Sequence, residues 1–366
     1  MDPIPLNLLP QALHLYVTIA SPLRSILSAV LESTKHIIFT PHYNINSTID
    51  KIFGVPNPYI SPSHHKRKVQ MTLSPSVKSR LNLTLLIPSS FTSETRDGRI
   101  KTYKVGQIAR AAAVFRVDNI IIYRDPQFDD SRFISLVLRY AETPQYLRKH
   151  LFPLQEELKH AGVLMPLRTP HHPTELRSSD LNKGEFRVGV VVPGPRKKSE
   201  KKVGSDNSVW VDIGIDSPVR LDASPNEVST GERVNVRIFS RRPIQAKLVQ
   251  MDEIPLYWGY QTTVEDNLSG TLKSFQDTLI LVATRQGQVL DTTTLPGIGA
   301  LMDQKAKTAV VFGSPSQSVE SIIAGEGSQL SDFQCKTLNT VPSQGTATVR
   351  AEEAVWATLS LLNLVR

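Results

Sequence analysis

Apolar and polar positions along the chain follow two different patterns, and the first of them predicts an α/β domain. Apolar or β-branched runs at Leu81–Ile87 and Asn119–Arg124 are typical of buried strands, and the Ala-rich stretch Val105–Arg116 between them predicts a helix. A strand, a helix and a strand at this spacing form a βαβ unit, which implies a parallel sheet covered by helices. Two more helices are predicted at Phe133–Tyr140 and Tyr146–Leu151.

The second pattern consists of short runs in which apolar and polar residues alternate, and it predicts a small antiparallel barrel. In the last of these runs Arg233, Asn235 and Arg237 share one face of the strand, and the apolar residues share the other. Pro, Gly, Asn and Asp separate the runs from one another. The runs are Phe186–Val192, Val209–Ile213 and Arg233–Phe239.

The α/β pattern returns after Leu272. Strands are predicted at Thr278–Ala283, Thr308–Phe312 and Lys336–Asn339, and a final helix at Val349–Leu364. One α/β domain therefore brackets the barrel. We expect a poorly ordered extension at residues 1–76, a discontinuous α/β domain at 77–170 and 265–366, and a barrel insertion at 171–264.

Composition and charge point to a polyanionic partner and exclude several kinds of site. Among 366 residues, 42 Lys and Arg outnumber 34 Asp and Glu, which favours a nucleic acid. A single cysteine, Cys335, excludes an internal disulfide and a cysteine-based zinc site. We expect no metal, because the pairs His64-His65 and His171-His172 lack metal-ligand spacing and read as loop residues. The apolar stretch Ala12–Leu31 is interrupted by Pro and Arg, so we expect no membrane span.

Basic clusters supply the candidate RNA contacts. The segment His64–Lys68 is either a solvated tail or an RNA contact or nuclear-import signal. Basic residues on the predicted barrel face and on a hairpin loop beside it would bind the phosphates of an RNA backbone. The alternative interpretation is that the loop is only solvated. These predicted RNA-binding residues are Arg196, Lys197, Lys198, Lys201, Lys202, Arg233 and Arg237.

Glycine or small residues follow three of the late strands, at Ala283–Gly287, Phe312–Pro315 and Asn339–Thr346. Ligands of parallel sheets bind at the carboxyl ends of the strands, and glycine allows the backbone to approach a ligand closely. Three such loops would together form a pocket for an adenine-sized cofactor. The chain contains neither a phosphate-binding GxxxxGK[ST] loop nor a GxSxG nucleophile elbow.

Several segments resemble the SPOUT-class RNA methyltransferases of eukaryotes and archaea that carry a β-barrel insertion. Gly106–Asp118 is similar to the first helix of that family, and Leu256–Tyr260 to the segment that leaves its barrel. The resemblance covers residues 80–366 in order. The other matching segments are Gln145–Lys149, Phe152-Pro153, Ala161-Gly162, Pro166-Leu167, Pro170–His172, Asn339-Thr340, Pro342, Gln344-Gly345 and Arg350–Ala354.

The resemblance implies an α/β fold with a trefoil knot, in which the C-terminal helix is threaded through a loop and a small OB-like β-barrel interrupts the SPOUT domain. It also implies a homodimer or a heterodimer with a paralogue, with the cofactor site beside the subunit interface. Arg110 matches the first-helix arginine that relatives direct toward the reaction centre, and a salt-bridged surface residue is the alternative. The implied S-adenosylmethionine-binding residues are Thr284, Gln286, Gly287, Gly313, Asn339, Pro342, Gln344, Gly345 and Thr346.

Three positions depart from the family pattern. Gln286 stands where relatives usually have arginine, and Ser314 and Ser343 replace glycines of the second and third loops. The function expected from the resemblance is methylation of a base in a large structured RNA, ribosomal RNA in the nucleus or nucleolus during ribosome assembly. The departures support an alternative: a non-catalytic RNA-binding scaffold of the same fold, paired with an active paralogue.

Overall fold

The computed structural model of the protein describes residues 82–174, 177–194 and 208–366. The predicted extension at residues 1–76, with its basic segment His64–Lys68, lies outside the described residues. The five basic residues of the predicted hairpin loop, between positions 196 and 202, also lie outside them.

The described residues form eleven strands and seven α-helices, numbered here in chain order, besides six short 3-10 helices. The strands are β1 (Asn82–Pro88), β2 (Asn119–Tyr123), β3 (Phe186–Val192), β4 (Val209–Asp212), β5 (Val219–Asp222), β6 (Arg233–Arg241), β7 (Ile244–Leu248), β8 (Gln261–Glu265), β9 (Thr278–Val289), β10 (Lys307–Phe312) and β11 (Cys335–Asn339). The helices are α1 (Gly98–Val114), α2 (Ser131–Glu142), α3 (Gln145–Leu151), α4 (Leu268–Ser274), α5 (Leu295–Asp303), α6 (Val319–Gly325) and α7 (Ala351–Leu362).

Six strands form a parallel sheet in the order β11-β9-β10-β1-β2-β8, which confirms the predicted α/β class. Successive side chains of a strand point to opposite faces, and here both faces are covered. Leu85 and Ile87 of β1 pack in a core with α1, α2, α5 and α7, whereas Leu86 packs in a second core with α4 and α6. Because both faces are buried, the inner strands consist of continuous apolar runs.

The remaining five strands close into a barrel in the order β3-β4-β5-β7-β6, which confirms the predicted barrel insertion between the two parts of the sheet. All neighbouring pairs are antiparallel except β5 and β7, which run parallel. The predicted alternation of β6 is present, since Val234, Val236 and Ile238 are buried in the barrel core.

The structure places the end of the barrel insertion earlier in the chain than the sequence-based boundary at residue 264. Strand β8 lies largely within the segment assigned to the insertion, residues 171–264, yet it pairs in register with β2 at the edge of the parallel sheet. The last barrel strand ends earlier, at Leu248. Most of β8 is polar and exposed, so no apolar pattern marks it as a strand.

Candidate functional site

A cavity of about 410 Å³ lies where the three predicted loops meet at the carboxyl ends of β9, β10 and β11. The three strands are neighbours in the sheet, in the order β11-β9-β10, so their loops converge at one edge. Residues from the loop after β1 and from the start of α7 complete the wall. The cavity therefore combines elements that are far apart in the chain.

The first loop is a bulge within β9. Val282 pairs with Thr337 of β11 and Gln288 pairs with Leu338, so residues 283–287 have no counterpart on β11 and loop out toward the cavity. Gly287 closes the bulge, because a Cβ at this position would lie 2.5 Å from the backbone nitrogen of Leu338. A glycine is therefore required where the two strands rejoin.

The second loop follows β10 and is held by its own hydrogen bonds. A Cβ at Gly313 would lie 2.6 Å from the carbonyl oxygen of Gln317, so the turn needs glycine there. The hydroxyl of Ser314 accepts a hydrogen bond from the backbone nitrogen of Gln317 at 2.9 Å. The serine that replaces a family glycine therefore stabilises the loop.

The third loop is tied to the first through Asn339. Its side-chain nitrogen donates to the carbonyl of Arg285 at 2.9 Å, and its side-chain oxygen accepts from the backbone nitrogen of Val341 at 3.1 Å. Farther along the loop, the Gln344 amide donates to the carbonyls of Thr346 and Ala347 at 2.9 and 3.1 Å. These bonds fix the backbone that faces the cavity.

The structure brings together part of the predicted cofactor set. Thr284, Gln286, Gly313, Asn339 and Gln344 line the cavity. Within the described part of the chain, the other four predicted residues are not among its lining. They are Gly287, which closes the bulge, and the residues Pro342, Gly345 and Thr346, which are exposed on the third loop.

Sequence reasoning missed a charged cluster beside the cavity. Glu94, in the loop between β1 and α1, lines the cavity and accepts a hydrogen bond from the ammonium of Lys104. Lys104 is buried on α1, and its Nζ also lies 3.5 Å from Oε2 of Glu352 on α7. A buried ammonium requires such partners. The sequence feature that could have revealed this cluster is Lys104 itself, a lysine on the apolar face of a helix, four residues before Ile108.

Arg110 lies outside the lining of this cavity among the described residues. Its Nη1 donates to the carbonyl of Leu167 at 2.5 Å and to that of Pro166 at 3.3 Å. The side chain therefore holds the segment that leads from the sheet toward the barrel. The predicted catalytic role of Arg110 stays a prediction.

The two described RNA-binding candidates of β6 have different surroundings. Both guanidinium Nη atoms of Arg233 are engaged by the carboxylate of Glu142, so this side chain joins the barrel to α2. Arg237 is exposed, and its guanidinium carbon lies 5.5 Å from the centre of the Phe186 ring. Both residues are exposed, but the Arg233 guanidinium is occupied by Glu142, so Arg237 is the better placed of the two for a phosphate contact.

The pair His171-His172 lies in a turn, as expected, and packs against α2. Nε2 of His171 lies 3.0 Å from the Glu142 carboxylate, and Nε2 of His172 lies 2.6 Å from the Glu142 carbonyl. Burial, followed by the nearby His171, lowers the pKa of His172 to about 4. Over residues 82–174, 177–194 and 208–366, no group of three or more His, Cys, Asp or Glu side chains could hold a metal ion. No described helix is long and apolar enough to cross a membrane.

Comparisons with known proteins agree on one family. Residues 82–362 match the model of the family described as "Putative RNA methyltransferase". An uncharacterised protein of Haloarcula marismortui is 36% identical over 298 residues, covering 78% of this chain and 99% of that protein. The 28S rRNA (uridine-N(3))-methyltransferase of Homo sapiens is 29% identical over 316 residues, covering 76% of this chain and 77% of the human protein. The corresponding enzyme of Mus musculus is 30% identical over 317 residues, covering 76% and 75%.

These matches confirm the resemblance to a family of RNA methyltransferases, and they extend over both the parallel sheet and the barrel. The chain belongs to the family of "Putative RNA methyltransferase" enzymes.

Proposed function

We propose that the protein is an S-adenosylmethionine-dependent methyltransferase that modifies a base of a large structured RNA, namely ribosomal RNA during ribosome assembly. The observation that carries the proposal is the cavity of about 410 Å³ formed by the loops of β9, β10 and β11. Open parallel sheets bind their ligands at this end of the strands. The human and mouse relatives are named for methylation of uridine in 28S rRNA, which supports ribosomal RNA as the substrate class.

The cavity suits S-adenosylmethionine in size and in chemistry. Small-molecule sites typically enclose about 300–1,000 Å³ and combine apolar walls with a few polar groups. Phe312, Val349 and Ala354 supply apolar surface for a purine ring, and the Glu94 carboxylate supplies negative charge for a positively charged ligand. When bound, S-adenosylmethionine supplies a methyl group that is electrophilic because the sulfur carries a positive charge.

The protein's own residues have two tasks in this reaction. They hold donor and base in line, since correct orientation by itself lowers the barrier to transfer. We assign the holding role to the loop groups at Gly313, Asn339 and Gln344. A ring nitrogen such as N3 of uridine must also lose its proton. We assign Glu94 as the acceptor, because it is the one acidic side chain among the described residues that line the cavity.

The proposal includes the knot and the dimer that the resemblance implies. In the dimer, formed with a second copy or with a paralogue, the interface lies beside the cavity. Arg110 would then steer an RNA phosphate toward the reaction centre, with its orientation set by the carbonyls of Pro166 and Leu167. Sedimentation equilibrium should give a mass of twice 40.7 kDa for a homodimer. A monomer at high concentration would require a paralogue as partner. In a eukaryotic cell we expect the protein in the nucleolus.

Calorimetric titration with S-adenosylmethionine tests the proposal. We expect binding that Ser314→Trp abolishes, because Ser314 lies on the cavity wall. The melting temperature should fall only slightly, since the position is outside the core and only the hydrogen bonds of the Ser314 hydroxyl within its loop are lost. The control is Ser274→Trp, at the exposed end of α4, which should bind the donor normally. Transfer of a labelled methyl group to ribosomal RNA from cells that lack the protein then tests the substrate.

A second candidate is the non-catalytic RNA-binding scaffold. The observation in its favour is the set of departures at Gln286, Ser314 and Ser343. The hydrogen bonds of the Ser314 hydroxyl within its own loop weigh against it, because they show one substitution to be accommodated without loss of the turn. Absence of donor binding at millimolar concentration would favour the scaffold.

A further inference from the structure

Two rows of side chains cross the outer surface of the barrel from strand to strand. In the first row, Trp210 of β4 is paired with Arg220 of β5, and Arg220 is paired with Gln245 of β7. The second row runs beside the first and contains Asp222, Lys247, Arg237 and Phe186 on strands β5, β7, β6 and β3. Side chains that are opposite each other on one face of a sheet are direct neighbours, so each row forms a continuous surface.

A bulge adds an aromatic ring to this surface. The register between β6 and β7 shifts between Ile238 and Ser240, which leaves Phe239 outside the regular pairing. Bulges of this kind change the direction of a side chain. Phe239 lines a cavity of about 470 Å³ together with Arg220, Asp222 and Gln245. We call the two rows and Phe239 the barrel platform.

The barrel platform is basic and aromatic. Its cations Arg220, Arg237 and Lys247 are exposed, and Asp222 is its single exposed carboxylate among the paired residues described above. The Arg237 guanidinium lies 5.5 Å from the Phe186 ring centre. Cations along a path for the phosphates, with rings on which bases stack, are the combination that binds single-stranded nucleic acid. A duplex keeps its bases stacked inside, so it cannot use such rings.

The other end of β6 is already occupied by contacts within the protein. Arg233 is bound by Glu142, and the side-chain oxygen of Asn235 accepts a hydrogen bond from the Trp258 indole at 2.8 Å. This half of the strand therefore holds the barrel against the α/β domain. Among the described residues, the side chains of Arg220, Arg237 and Lys247, farther along the platform, are exposed and accessible to a ligand, whereas the Phe186 ring packs partly against Trp258.

We propose that the barrel platform binds an unpaired RNA segment, with a base stacked on Phe239. Arg220, Arg237 and Lys247 contact its phosphates, and Gln245 hydrogen-bonds a base edge. This inference rests on the proposed function, because it assumes an RNA substrate. It adds the site on the barrel and the single-stranded character of the RNA bound there.

The test measures binding of the full-length protein to a labelled single-stranded oligonucleotide of ribosomal sequence and to the duplex of the same length. We expect the single strand to bind more tightly. Phe239→Leu removes the ring and should weaken binding of the single strand roughly tenfold or more, whereas Phe239→Tyr keeps the ring and should retain it. Melting temperatures identify any variant that fails to fold.

The charge variants use the salt dependence of affinity. Arg220→Ala and Lys247→Ala should each reduce the slope of log affinity against log salt by about 0.7, the value for one phosphate contact on a single strand. The matched control is Arg132→Ala, an exposed arginine on α2, which should leave both affinity and slope unchanged.

The outcomes separate this inference from the proposed function. Methyl transfer to RNA together with unchanged affinity in Phe239→Leu and Arg220→Ala would overturn the platform and leave the methyltransferase in place. Equal loss of duplex and single-strand binding in these variants would overturn the single-strand assignment. If the unaltered protein binds donor but neither RNA, the RNA substrate and the platform both fail.

Discussion

The carboxylate of Glu142, at the end of α2, accepts two hydrogen bonds from the guanidinium of Arg233, at the start of β6, at 2.6 and 2.9 Å. Glu142 also lies 3.0 Å from Nε2 of His171, in the segment that enters the barrel. Gly259, in the segment that leaves the barrel, approaches the same carboxylate. One buried side chain therefore connects the α/β domain to the barrel and to both connecting segments.

The contacts of Glu142 with Arg233 and His171 predict a specific dependence of the protein's stability on pH. Burial would raise the pKa of Glu142, but hydrogen bonds from His171 and Arg233 outweigh it and lower the pKa from 4.5 to about 2. Because the folded-state pKa is depressed, the stabilisation is complete above about pH 4.5 and is lost as the pH falls toward 2. Glu142→Gln should lower the free energy of unfolding at pH 7 by about 3 kcal/mol, since Arg233 loses its charged partner.

Denaturant unfolding of both proteins at pH 7 and pH 3 checks this prediction. The difference between the original protein and Glu142→Gln should shrink at the lower pH, where the carboxylate begins to take up a proton. A difference that is independent of pH would show that the charge of Glu142 does not stabilise the fold.

A pair of glycine substitutions tests the close approach at Gly259. Its φ is +89°, and a Cβ would lie 2.5 Å from Oε1 of Glu142. Gly231 provides the control, since its φ of +86° is nearly the same and none of the described atoms lies within 4 Å of its Cβ position. Gly231→Ala should cost only the left-handed backbone strain, about 1–2 kcal/mol, whereas Gly259→Ala should cost clearly more. Thermal or chemical denaturation measures both, and equal losses would contradict the steric argument.

A second glycine pair tests how the cavity is closed. Gly287→Ala places a methyl group against the backbone of β11 and should displace the bulge that lines the cavity. Overpacking of this kind costs about 1–3 kcal/mol, so donor affinity should fall roughly tenfold or more. Gly345→Ala, with open space among the described atoms around it, should bind the donor normally. Calorimetry with S-adenosylmethionine distinguishes the two, and equal affinities would show that the bulge is irrelevant to binding.

The role of Glu94 as proton acceptor can be tested by measuring the rate of methyl transfer and the affinity for RNA separately. Glu94→Gln keeps the shape of the side chain but removes its basicity and its charge toward Lys104 and the donor. At saturating donor, the rate of methyl transfer should fall about 10²-fold or more while RNA affinity stays close to normal. Glu265→Gln, an exposed carboxylate at the sheet edge, is the control and should keep full activity. Single-turnover kinetics over a range of pH measure the effect. An unchanged rate would remove Glu94 from the mechanism.

The fold class and the place of the candidate cavity could be predicted from the sequence because both depend on local patterns. Strands β1 and β10 are apolar runs, since both faces of a parallel sheet are covered. Strand β6 alternates, since one of its faces lines the barrel core. The glycine-containing loops after β9, β10 and β11 predicted a cavity, because the carboxyl ends of parallel strands lie at the same edge of the sheet.

Only the tertiary structure decided which elements and side chains meet. Strand β8 joins the sheet although its sequence is polar, because pairing with β2 supplies its backbone hydrogen bonds without an apolar face. Arg233 and Arg237 lie on the same face of β6, yet the Arg233 guanidinium is bound by Glu142 and that of Arg237 lies over the Phe186 ring. The periodicity of a segment reports how much of each face is buried. It does not identify the partner, because the partner lies far away in the chain and is brought there by the packing of the whole domain.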